Sequence, residues 1–174
     1  MDCASYLNRI LERLLPTHDI VRDYSANGQI VPAYARYEAL NEKYVLSRKA
    51  TLWKAGEYEH VLFFTVPEQG APDSLTALAQ QLIRDFMEPV LARNNEKYPP
   101  KDHMRTFLTA VIISETSPSV ELVRLIRKYR FDKGYQFSFR GFSQGRLVFV
   151  DLSAGKVYTS PAANDVAEFY RQIL

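Results

Sequence analysis

The sequence predicts a single α+β domain, residues 1–174, built on a mixed sheet. Three observations carry that reading. Hydrophobic spacing switches between a helical and a strand period in the order α-ββββ-α-β-α-βββ-α. The run Thr106–Ile113 is almost continuously apolar, which suits a central strand covered on both faces. At 174 residues, 47% apolar and 24% charged, the chain is long enough for one self-sufficient core.

Each element has its own signal. Tyr6, Leu7, Ile10, Leu11, Leu14 and Leu15 recur at three- and four-residue spacing, so the N-terminus predicts an amphipathic helix, capped by Asp2 and stopped by Pro16. Asn27-Gly28 is a two-residue hairpin signal, because both central positions of that turn favour positive φ. It separates strands near Ile20–Tyr24 and Ile30–Leu40. Two more are expected at Tyr44–Trp53 and Tyr58–Val66, joined by a turn at Lys54–Glu57, completing an N-terminal antiparallel meander.

After the loop Pro67–Pro72, Asp73 caps a long helix with Leu75, Leu78, Ala79, Leu82, Ile83, Phe86, Val90 and Leu91 on its apolar face. Pro89 predicts a kink or early stop near Glu88. The polar stretch Asn94–His103 reads as a connector to the central strand. Ser117-Pro118 then opens a helix running to Arg130, with Val120, Leu122, Val123, Leu125, Ile126 and Tyr129 as its apolar stripe. A three-stranded segment is expected at Tyr135–Phe142, Leu147–Leu152 and Lys156–Thr159, with turns at Ser143–Gly145 and Ser153–Gly155. A last helix starts at Ser160-Pro161 or Asn164 and carries Val166, Phe169, Tyr170 and Ile173. About four helices flank the sheet.

Net charge is +2, which implies no global pull toward nucleic acid or membrane. The charge is nonetheless uneven. Residues 1–100 carry 11 basic and 13 acidic side chains, residues 101–174 carry 11 and 7. The lone Cys3 excludes an internal disulfide and reads as a small buried hydrophobe. Charges at Asp2, Arg9, Glu12 and Arg13 break up a signal-peptide core, and no apolar run is long enough for a membrane span. A cytoplasmic setting with no membrane partner is the expectation.

The most distinctive stretch is 124–146. It combines Arg124, Arg127, Lys128, Arg130, Lys133, Arg140 and Arg146 with one acid, Asp132, and six aromatic residues. Cations mixed with flat rings suit an anionic, stackable ligand such as single-stranded nucleic acid. Periodicity divides the block. Arg124, Arg127 and Lys128 share an exposed helix side, where the helix dipole also favours them. Strand alternation sends Tyr135, Phe137 and Phe139 to the core and Gln136, Ser138 and Arg140 outward.

Lys133-Gly134-Tyr135-Gln136-Phe137-Ser138-Phe139-Arg140 resembles the aromatic strand motif of RNA-recognition domains at Lys133, Gly134, Tyr135 and Phe137. It departs at Gln136, Ser138 and Arg140, and it follows its helix without the intervening strand that fold requires. The succession αβββαβ resembles the core of restriction-endonuclease-like nucleases. That resemblance implies a metal held by acids on the second and third core strands, with a lysine from Glu-x-Lys or Asp-x-Lys beside the attacking water. The chain has neither tripeptide. Glu57, Glu59 and Glu68 are the acids nearest the required places. His18, His60 and His103 each neighbour an acid, but adjacent strand residues point to opposite faces, so these read as structural histidines. Glu115 ends the central strand and reads as a loop acid.

The functional expectation is therefore a non-enzymatic binding or accessory module that needs no cofactor or metal. Its partner would be nucleic acid or an acidic protein surface, contacted through the seven cations of 124–146. The alternatives are a divergent metal-dependent nuclease or phosphodiesterase using Glu57, Glu59 and Glu68, and a structural or oligomerisation protein pairing through sheet edges or apolar patches.

Overall fold

A computed structural model of the chain describes residues 1–44 and 51–174, with side-chain placement left aside over 40–55. The α+β class with a mixed sheet stands. Helix α1 (Cys3–Leu14) begins where expected, with the Asp2 carboxylate accepting from the Ser5 amide at 2.7 Å. Strands β1 (Asp19–Ala26) and β2 (Gln29–Tyr44) join through Asn27-Gly28, whose φ angles of 50° and 80° are those the tight turn demands. β3 (Thr51–Val66) completes an antiparallel meander.

The meander thus has three strands where four were expected. Most of the expected strand Tyr44–Trp53 lies on 45–50, outside the described residues. The expected turn at Lys54–Glu57 is instead part of β3, because those four residues pair in register with Glu42 back to Ala39. Two 16-residue strands replace three shorter ones.

Helix α2 (Pro72–Leu82) has proline in its first turn, and Asp73 is a first-turn acid rather than the cap. Pro89 does not stop the helix. Residues Ile83–Ala92 continue as a π-helix, whose wider turn accommodates the missing proline donor. Strand β4 (His103–Ser114) pairs in parallel with β3, and β6 (Phe142–Asp151) in parallel with β4. Between them lies α3 (Val120–Lys128), capped by the Ser119 hydroxyl two residues later than expected. Leu122 and Ile126 form its buried stripe, whereas Val120 and Leu125 face solvent.

The C-terminal segment keeps three strands but shifts two. β5 is Phe131–Gly134, followed by a turn, β6 and β7 (Lys156–Thr159). The expected strand Tyr135–Phe142 is that turn. Gln136, Phe137 and Ser138 take φ of 48°, 54° and 70°, in the left-handed region, so strand alternation fails there. Tyr135 is buried as expected, but Phe137 and Phe139 are 98% and 88% exposed. The expected turn at Ser143–Gly145 lies inside β6. Gly145 is there for close packing, since a Cβ would come within 2.8–3.0 Å of Phe131, Tyr129 and Ile83.

The sheet order is β1-β2-β3-β4-β6-β5, with β7 beside the upper half of β6. One face packs Leu62, Phe64, Leu108, Ile112 and Phe149 under α2, the π-helix and α3. The other packs Val61, Phe63, Val111, Val148 and Val150 under α1 and the short α4 (Ala167–Arg171). Cys3 is buried here, and loss of solvation pushes its thiol up to about 11. Glu115 accepts from the Cys3 amide at 2.7 Å, so the expected loop acid satisfies an orphan donor at the α1 N-terminus.

Gly141, at φ 72°, closes the 135–141 turn, and a Cβ there would drive into the Met104 backbone carbonyl. Gly141→Ala is expected to cost about 2 kcal/mol or more, through left-handed strain plus a clash that no rotamer relieves. Urea unfolding of the variant checks this; a midpoint equal to the parent's would disprove it.

Candidate functional site

Period-two alternation sends Tyr34, Arg36 and Glu38 of β2 and Tyr58 and His60 of β3 to the same sheet face as Leu62 and Phe64. Beyond that core the face turns polar. The π-helix C-terminus and the 93–100 loop stand over it, leaving a cleft of about 810 Å³, within the usual range of ligand pockets. Its rings are layered. Tyr34 stacks on Tyr24 at 4.5 Å between centroids and on His60 at 6.0 Å, and Tyr58 stacks on His103 at 5.9 Å.

His60 shares a hydrogen bond with the Tyr34 hydroxyl at 2.7 Å. Burial, with the nearby Arg36 charge, pushes its imidazole down to about 4, so it is neutral at pH 7. His103 is fixed more tightly. The Arg140 carbonyl can only accept, so Nδ1 donates to it at 2.8 Å and Nε2 accepts from the Thr106 hydroxyl at 2.8 Å. Burial lowers its pKa too.

Four cations line the cleft, Arg36, Arg93, Lys97 and Arg140, against Glu38 and Glu96. Arg36 pairs with Glu38, and Arg93 with the buried Glu88 at 2.5 Å. Lys97 and Arg140 lean on Tyr98, at 5.3 and 5.8 Å from its ring, and neither has a carboxylate partner among the described residues. Arg140 is held by the Pro99 carbonyl and the Gln136 side chain, each at 3.1 Å.

Behind the cleft, Glu88 gathers a buried network. It accepts from the Tyr135 hydroxyl at 2.9 Å and pairs with Lys133 at 3.0 Å as well as Arg93, while Tyr135 also meets Ser143 at 2.8 Å. Burial acts to raise the Glu88 pKa, but the bonds from Arg93, Lys133 and Tyr135 outweigh it and hold the carboxyl below its usual value.

The opposite sheet face carries a second, more open cavity of about 700 Å³. Phe107 is its centre. The Arg146 guanidinium lies 3.4 Å above the ring and that of Arg105 at 5.3 Å. Arg146 is buried and pairs with Asp165 at 2.9 Å and Glu59 at 3.7 Å; Arg105 pairs with Glu57 at 2.8 Å. These cations are neutralised locally, which leaves this cavity little net charge for an anion.

A family model described as a domain of unknown function, DUF8052, matches residues 2–172. The chain belongs to that family. No curated protein and no solved structure matches it.

The seven cations singled out from the sequence occupy five settings in this DUF8052 chain. Arg124, Arg127 and Lys128 lie exposed on α3. Arg130 is exposed and donates to the Arg127 and Tyr129 carbonyls. Lys133 belongs to the Glu88 network and Arg140 to the first cleft. Arg146, expected among the contact cations, is buried, because β6 carries it under Asp165 and onto Phe107. Glu57, Glu59 and Glu68 do not converge. Glu57 and Glu59 face Arg105 and Arg146, while Glu68 follows the far end of β3, about 20 Å away at strand rise. Among the described residues, no three His, Cys, Asp or Glu side chains are placed to hold a metal ion.

Sequence reading missed the first cleft. Its signal was present as the same-face triplet Tyr34-x-Arg36-x-Glu38 and the pair Tyr58-x-His60, polar residues on a face that is apolar further along the same strands. The cleft also opens at the N-terminal ends of the parallel strands, away from Glu115 and the C-terminal ends where open α/β sheets favour ligands.

Proposed function

We propose that this domain is a non-enzymatic binding module that takes an anionic ligand bearing a flat ring in the β2–β3 cleft. One observation carries the reading. Among the described residues, Lys97 and Arg140 have no carboxylate partner and stand beside Tyr98, in a cleft floored by Tyr34, Tyr58 and a neutral His60. Rings stack on rings with little dependence on identity, and the two cations select for negative charge at the rim. A ribonucleotide is the simplest probe with both parts, because its base and phosphate lie within one small molecule. The exposed cations Arg124, Arg127, Lys128 and Arg130 on and after α3, which packs against β6 and β7, would be a separate contact for a longer anionic chain.

Titration calorimetry with nucleoside monophosphates, the matching nucleosides and inorganic phosphate at low salt tests this. Nucleotides are expected to bind, and both fragments to bind more weakly by about tenfold or more, as loss of a charged or a stacked contact implies. Lys97→Glu combined with Arg140→Glu should remove nucleotide binding, and added salt should weaken it. Absence of binding to all three probes, or equal binding by the double variant, would refute the reading.

A further inference from the structure

The 135–141 turn shows a second feature that does not depend on the cleft. Among the exposed large apolar side chains, Met104, Phe137, Phe139 and Phe142 come from this turn and the two strand ends supporting it. Apolar side chains on a mobile tip would carry little meaning, but this tip is braced. Tyr135 donates to the Gly141 carbonyl at 3.0 Å, Arg140 to Tyr135 at 3.2 Å, Phe139 to Gln136 at 3.0 Å and Gly141 to Ser138 at 3.0 Å. His103 grips the Arg140 carbonyl, and Arg140 in turn holds Pro99. Three successive non-glycine residues sit in the left-handed region, a costly conformation that this bracing maintains. The outcome is two phenylalanine rings held out in water.

The segments flanking them are net cationic. Segments 97–105 and 130–142 carry Lys97, Lys101, Arg130 and Arg140 against Asp102 and Asp132, while their Arg105 and Lys133 are paired with Glu57 and Glu88. Aromatic tips flanked by cationic segments are complementary to one kind of surface in particular, an apolar layer beneath anionic headgroups. A protruding convex turn needs no matching pocket there, since acyl chains adapt to the rings. We infer that the 135–141 turn docks the protein reversibly on anionic lipid surfaces, with Phe137 and Phe139 entering the headgroup–acyl boundary. Peripheral docking is a different matter from spanning: among the described residues, no helix is long and apolar enough to cross a membrane.

Co-sedimentation of the full chain with phosphatidylcholine vesicles, with and without about a third phosphatidylserine, tests the inference. The full chain should bind the anionic vesicles and bind neutral ones several-fold less. Phe137→Ser with Phe139→Ser should lower the partition coefficient about tenfold or more, as loss of two inserted rings implies. Both sites are solvent-exposed, so circular dichroism of the double variant should match the parent. A Phe137→Trp variant should blue-shift its emission on vesicles and be quenched by brominated acyl chains. No binding at low salt would overturn the inference, as would equal binding by the Ser variant or a Trp signal indifferent to the lipid. Concentration-dependent self-association abolished by the Ser variant, without vesicle binding, would make the turn an interface between copies instead. None of these outcomes bears on nucleotide titration of the cleft.

Discussion

Acidification from pH 7 to pH 4 is expected to remove roughly 3 kcal/mol of folding stability through His60 alone. The folded imidazole is pushed down to about 4, first by burial and then by the Arg36 charge, whereas in the unfolded chain it returns to about 6.5. Between these values the unfolded state binds the proton and the folded state does not, so stability rises with pH across the window. The contribution is complete above pH 6.5 and gone near pH 4. One pKa unit corresponds to about 1.4 kcal/mol, which sets both the total and the steepest slope per pH unit. Guanidinium unfolding at several pH values, on the parent and on His60→Asn, measures it. The variant should be less stable at pH 7, because the bond to Tyr34 changes, yet flatter between pH 6.5 and 4.5. His18 and His103, also lowered by burial, contribute to both proteins and cancel in the difference. Parallel pH profiles would remove His60 as the origin.

What the sequence disclosed and what it hid separate along a physical line. Elements set by local chemistry were legible: the Asp2 cap, the Asn27-Gly28 turn, the apolar run of β4 and the amphipathic α1 appear where spacing and caps place them. The errors lie where a neighbouring element decides. Lys54–Glu57 reads as a turn by composition, but pairing with β2 on one side and the approach of β4 on the other extend β3 through it. Pro89 reads as a kink or an early stop, and the helix instead runs through it as a π-helical turn. Tyr135–Phe139 alternates like a strand, but the Met104 carbonyl and the His103 ring bend the backbone into a left-handed turn and turn two phenylalanines outward.

Much the same division holds for the cleft. Charge density in 124–146 drew attention to seven cations, and only Arg140 lines the cleft, because strand and helix geometry scatter the others. The tyrosines of β2 and β3 are more than 60 residues from that block, and the Lys97–Tyr98 loop more than 25. They meet it only through the parallel pairing of β3 with β4. Same-face polar spacing on a strand was the legible part. The convergence of two strands, a π-helix end and a loop was not.

Truncation of Glu88 should be the most damaging single change in the fold. The carboxylate is 4% exposed and serves three donors, the Arg93 guanidinium, the Lys133 ammonium and the Tyr135 hydroxyl. Glu88→Ala leaves Arg93, itself 15% exposed, without its counter-charge, and takes one of the two partners of the Tyr135 hydroxyl. Removal of one member of a buried pair costs about 3–5 kcal/mol, because the remaining charge stays desolvated. Lys133 adds less, since at 44% exposure water screens it. Glu88→Gln should fall between the two, keeping an acceptor for Tyr135 and losing the charge. The sign of the pH effect differs in position from that of His60. The folded Glu88 pKa is depressed, so its stabilisation is complete above the unfolded carboxyl value of about 4.5 and is lost as pH falls through the folded value. Tyr135 opens the left-handed turn and Arg93 borders the cleft, so the damage should reach both. Amide exchange at residues 135–141 is expected to accelerate in Glu88→Ala ahead of exchange in the β3–β4 core. A loss below 1 kcal/mol in urea unfolding, or exchange that quickens uniformly across the chain, would show that Glu88 does not anchor this end of the sheet.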